Sequence, residues 1–119
     1  MPKKHTITIT VNNGDFTYSP STLHAKVGET VSWTSGPLGP FAISFMDATP
    51  FLEVTLRSYQ NTGGEHCIDA IQIQENTIGH HHYAVALAPI PVPGPNPPVS
   101  PTIFLDSGCP DIVVSNDGI

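Results

Sequence analysis

The stretch Phe16-Thr-Tyr-Ser-Pro-Ser-Thr-Leu-His-Ala-Lys-Val-Gly-Glu-Thr-Val-Ser-Trp33 decides the fold. Phe16-Thr17-Tyr18 is extended, and Ser19-Pro20 breaks it, because proline fixes φ and has no amide proton. Leu23, Ala25 and Val27 then alternate with polar residues. Gly28-Glu29 makes a tight turn, and Thr30-Val31-Ser32-Trp33-Thr34 resumes the alternation. Two runs of period two across a glycine turn predict a hairpin.

The same pattern extends outward in both directions. His5, Ile7, Ile9 and Val11 face one way and Thr6, Thr8 and Thr10 the other, which predicts a half-buried strand. Asn12-Asn13-Gly14-Asp15 reads as a turn, since Asn and Gly tolerate positive φ. After the Gly/Pro loop Ser35–Pro40, Phe41-Ala-Ile-Ser-Phe45 sets three large apolar residues on one face. Phe51–Tyr59 alternates through Leu52, Val54 and Leu56 as a strand or an irregular ribbon, and Ile71 and Ile73 stand at strand spacing. His81, Tyr83, Val85 and Leu87 share one face of a further strand, with His80, His82, Ala84 and Ala86 on the other. Residues 88–101 hold seven of the 13 prolines. Such a run favours polyproline II and stays out of a central sheet. Because strand-like Thr102–Leu105 and Ile112–Val114 follow it, it reads as a long loop within one domain covering residues 1–119. About 7–8 short strands, turning every 8–12 residues, predict an all-β Greek-key sandwich.

Composition narrows the function. The chain has 119 residues, 4 Lys and Arg against 10 Asp and Glu, and a net charge of −6. Phosphate and anionic lipid need clustered cations, so neither nucleic acid nor a membrane is an expected partner. The N-terminus runs straight into Thr/Ile alternation with no apolar signal core, and no stretch nears the length of a membrane span. A soluble, cytoplasmic protein is expected. Cys67 and Cys109 lie 42 positions apart without CxxC spacing. They read as free thiols in a reducing compartment, with a disulfide as the alternative.

The quoted stretch also resembles the opening of cupredoxins, the plastocyanin and azurin type of domain: an aromatic, a Pro, a Leu-containing strand, then Lys26-Val-Gly-Glu-Thr-Val-Ser-Trp33. Gly79-His-His-His-Tyr83-Ala-Val85 is similar to that family's Gly-x-Tyr-x-Tyr-x-Cys strand, and Pro110-Asp-Ile-Val-Val114 to its closing strand. The resemblance implies a cupredoxin-like sandwich. It also sets Phe41 where the family's first copper-ligating His stands, and Val85 where its Cys stands. No His or Met follows Val85. A type 1 copper site needs two imidazoles, a thiolate and a weak axial ligand, so the resemblance implies a sandwich without that metal and no bound cofactor.

His80 and His82 point to one face of a strand, about 6–7 Å apart. They are the candidate ligands for Zn(II) or Cu(II), joined by Glu65, His66 or Cys67 if the fold brings them near. Two ligands alone make a weak site, and solvent-facing strand histidines are the plainer account. Cys67 beside His66 makes no catalytic pair, since neighbours on a strand point to opposite faces. Asp106, Asp111 and Asp117 read as solvated surface acids. No enzymatic chemistry is expected. The leading expectation is a non-enzymatic binding or assembly module. It meets a protein partner, or a second copy, through an edge strand or through proline-rich loops at Leu38, Pro40, Phe41, Ile90 and Val92. The alternative is a divergent metal-binding protein using His80 and His82.

Overall fold

The computed structural model describes residues 3–12, 15–46, 48–88, 103–106 and 110–115. The strands in chain order are β1 (Lys4–Asn12), β2 (Asp15–Ser19), β3 (Thr22–Lys26), β4 (Thr30–Gly36), β5 (Phe41–Phe45), β6 (Thr55–Arg57), β7 (Tyr59–Gln60), β8 (His66–Gln72), β9 (Gly79–Leu87), β10 (Phe104–Asp106) and β11 (Asp111–Ser115). One sheet runs β2-β1-β4-β8-β7. The other runs β3-β11-β9-β5-β6, with β10 also paired to β9. The expected all-β sandwich is present. Its eleven described strands exceed the 7–8 read from the sequence because β6, β7 and β10 are fragments of three, two and three residues.

Alternation builds the core from both inner faces. Ile7 and Ile9 of β1, Val31 and Trp33 of β4, Ile43 and Phe45 of β5, Tyr83, Val85 and Leu87 of β9, and Ile112 and Val114 of β11 are all buried. Trp33 anchors it, edge-on to Phe51 and Tyr83 at 5.8 and 5.9 Å between centroids. Each such side chain contributes about 1.5–3 kcal/mol by leaving water.

The predicted hairpin across Gly28-Glu29 does not form. β3 pairs in parallel with β11, whereas β4 pairs in parallel with β1 and antiparallel with β8. The turn instead carries the chain from one sheet to the other. Gly28 takes φ +90°, a conformation that favours glycine. The Glu29 carboxylate accepts from the Lys26 and Lys3 backbone N–H groups at 2.8 and 3.3 Å, and its Oε1 lies 2.9 Å from His5 Nε2. That carboxylate ties the crossing to the first strand. Burial alone raises its pKa, but the hydrogen bonds from His5, Lys26 and Lys3 outweigh burial and hold it below the usual value.

Of the two readings of Phe51–Tyr59, the irregular ribbon is the one that forms, with strand pairing only at Thr55–Arg57 and Tyr59–Gln60. Leu56 is buried while Leu52 is 83% exposed. Phe51, buried against Phe45 and Trp33, anchors the ribbon to the core, so Leu52 faces solvent and pairing resumes only at β6. β8 is bulged: Val31 and Trp33 of β4 face Ile71 and Ile68, so that the single residue Ser32 stands against two, Asp69 and Ala70.

Candidate functional site

Three places on β9 and its neighbours bear on function. The first is the end of β9 beside the start of β5, which holds the two positions, Phe41 and Val85, that stand in place of copper ligands in the resemblance. Phe41 faces Leu87 and Ile43 faces Val85 across the pair. Phe41, Val85 and Leu87 are buried. Neither Phe41 nor Val85 carries a donor atom, so these two positions do not fit a type 1 copper site. Burial also corrects the expectation for Phe41 as a partner contact: it fills the core end and presents no surface. Leu38 is half-buried against the core, and Pro40 is exposed. Ile90 and Val92, with most of the proline-rich segment, lie outside the described residues, as do Cys109 and Asp117.

The second place is the outer face of β9 at its beginning. His81 turns inward, its Nδ1 2.9 Å from the Ala48 carbonyl oxygen and its Nε2 against that of Thr77. His80 and His82 turn outward, their rings stacked at 6.3 Å with 14° between planes. Between them stands Asp111 of β11, directly opposite His82 in the register. One carboxylate oxygen lies 3.1 Å from His80 Nδ1 and 3.9 Å from His82 Nε2. Asp111 is buried rather than a solvated surface acid. Burial raises its pKa, but hydrogen bonds from His80 and Thr22 and the charges of both histidines win, so the carboxyl titrates below its usual range. Glu65, His66 and Cys67 do not join this group. His66 and Cys67 belong to β8 of the other sheet and Glu65 precedes that strand; His66 is buried, its Nε2 without a hydrogen-bond partner among the described residues, and Cys67 is a free, half-buried thiol.

The third place was not legible as a site. Farther along the outer face of β9, Ala86 pairs with Ala42 of β5 on one side and with Leu105 of β10 on the other. Ala84 pairs with Ser44. These residues, with Asp106 at the rim, line an open groove of about 410 Å³. Its floor is alanine, and Leu105 projects beside it at 76% exposure. An outward sheet face in water ordinarily carries polar side chains. The rim is fixed: the Tyr18 hydroxyl donates to Asp106 Oδ2 at 2.5 Å, and burial, reinforced by that carboxylate, pushes the phenol pKa well up.

Among solved structures, the chain is similar to a purple cupredoxin from Nitrosopumilus maritimus, at 23% identity and a TM-score of 0.48, covering 93% of this chain and 99% of that one. No protein-family model and no curated protein sequence matches the chain. Among the described residues, no helix is long and apolar enough to cross a membrane.

Proposed function

We propose that the chain is a non-enzymatic, cupredoxin-like binding and assembly module without type 1 copper, and that its contact surface is the outer face of β5, β9 and β10. The observation that carries this reading is the alanine floor of Ala42, Ala84 and Ala86 beside the projecting Leu105. Solvent-facing strands gain nothing from a row of alanines. A partner surface does, because small side chains leave depth for large ones. The occupant that fits is a second copy. One face carries both the projection and the recess, so a two-fold arrangement sets each Leu105 into the other copy's alanine floor, as an isologous interface requires.

Edge-strand pairing is less suited to the task. Of the four strands that end the two sheets, β6 and β7 are fragments of three and two residues, and β2 and β3 run only five residues each, with charged Asp15 on β2 and Lys26 on β3. The test is sedimentation velocity across a wide concentration range, with Leu105→Asp beside the wild type. A concentration-dependent dimer that Leu105→Asp converts to monomer supports the reading. A wild type that stays monomeric throughout, or a dimer indifferent to the substitution, overturns it.

A further inference from the structure

We infer that Tyr18 is a positioning residue of the assembly surface: its hydroxyl fixes the register of β10 and so decides that Leu105 faces outward. This rests on the assembly reading above and names what controls it. β10 is three residues long and pairs, among the described strands, with β9 alone. So short a strand has little pairing of its own to hold it, and a slip of one residue sends every side chain to the opposite face.

Hydropathy opposes the register observed. By alternation, one face of Ile103-Phe104-Leu105-Asp106 carries the two aliphatics and the other carries Phe104 and Asp106. A strand placed by burial alone turns the aliphatics in and the carboxylate out. Here the reverse holds: Ile103 and Leu105 are 59% and 76% exposed, whereas Phe104 and Asp106 are half-buried. Behind Asp106 stands Tyr18 of β2, in the other sheet, donating to Oδ2 at 2.5 Å. Hydrogen bonds to an ionised acceptor are the strong ones. The Tyr18 ring cannot follow a displaced carboxylate, because it stacks on Phe16 at 6.2 Å and sits edge-on to the fully buried Tyr83 at 6.3 Å. In the slipped register Asp106 turns to solvent, the bond is lost, and Leu105 leaves the alanine floor. The phenol–carboxylate bond therefore offsets the exposure of two aliphatic side chains. Affinity falls with the fraction of chains in the competent register, and a two-fold dimer needs that register in both copies.

Tyr18→Phe keeps the ring and removes only the hydroxyl. Sedimentation velocity of tag-free wild type, Tyr18→Phe, Asp106→Ala and Glu29→Ala is read beside the cross-strand NMR contacts of Leu105, recorded where the chain is monomeric. The expected result is a dimer weakened at least about tenfold by Tyr18→Phe and by Asp106→Ala, with Leu105 losing its place opposite Ala86 in both. Glu29→Ala, which loses stability at the crossing between the sheets, should dimerise as wild type does; it separates register from stability. A Tyr18→Phe chain that dimerises as tightly as wild type overturns the inference and leaves the assembly reading standing. A dimer weakened while Leu105 stays opposite Ala86, or weakened equally by Glu29→Ala, overturns it as well. A wild type that is monomeric at every concentration overturns the assembly reading, and this inference with it.

Discussion

The two ends of β9 use one strand for opposite purposes. At the end beside β5 the inward residues Val85 and Leu87 meet Ile43 and Phe41, and the positions that carry metal ligands in the resembling family are closed with hydrocarbon. At the beginning the strand turns His80 and His82 outward against Asp111, and donor atoms gather on the surface. The strand's period of two separates these roles: inward places at this end are priced by packing, whereas outward places are free for recognition. A polar residue therefore costs much at the closed end and little at the open one.

Substitutions can break that contrast. The largest effect is expected for Phe41→His, which puts an imidazole where the family resemblance places one. It should lower unfolding free energy by about 3–5 kcal/mol, through lost packing and an unsatisfied buried ring nitrogen. Denaturant titration measures this. Added Cu(II) should give no intense thiolate–copper absorption, because Val85 offers no thiolate. A variant as stable as wild type would mean that this end is not closed.

Glu29→Ala comes next, at about 1–3 kcal/mol, since it leaves the N–H groups of Lys3 and Lys26 without their carboxylate. The folded carboxyl titrates below its unfolded value. Its contribution is therefore complete above the unfolded pKa of about 4.3 and disappears as pH falls through the lower folded one. Unfolding midpoints between pH 7 and pH 3 should fall less steeply for the variant than for wild type. Tyr18→Phe removes the bond to Asp106 and should cost about 1–2 kcal/mol, read from the same titration. The smallest effect sharpens the comparison from the open end. His80→Ala in metal-free protein should stay within about 0.5 kcal/mol of wild type at neutral pH.

Much of this fold can be read directly from alternation. Ile7, Ile9, Trp33, Ile43, Tyr83 and Val85 sit inside because period two sends them there, and His81 follows the same rule. Pairing is less legible. Nothing in β3 or β4 signals that each pairs in parallel with a strand distant in sequence, and the glycine turn between them serves a hairpin and a crossing equally well. The site divides in the same way. His80 and His82 announce themselves as neighbours, but Asp111 is 31 residues away, and only the β9–β11 register brings it between them. The alanine floor escapes notice because alanine is neutral in any pattern. It becomes a surface only when Ala42, Ala86 and Leu105 align across three strands.

The most direct test of the assembly reading is sedimentation velocity of tag-free, metal-free protein beside Leu105→Asp. Wild type should pass from monomer to dimer as concentration rises, and the variant should remain monomeric with an unchanged melting temperature. A wild type that stays monomeric at every concentration would contradict the reading and leave the alanine floor without the partner assigned to it.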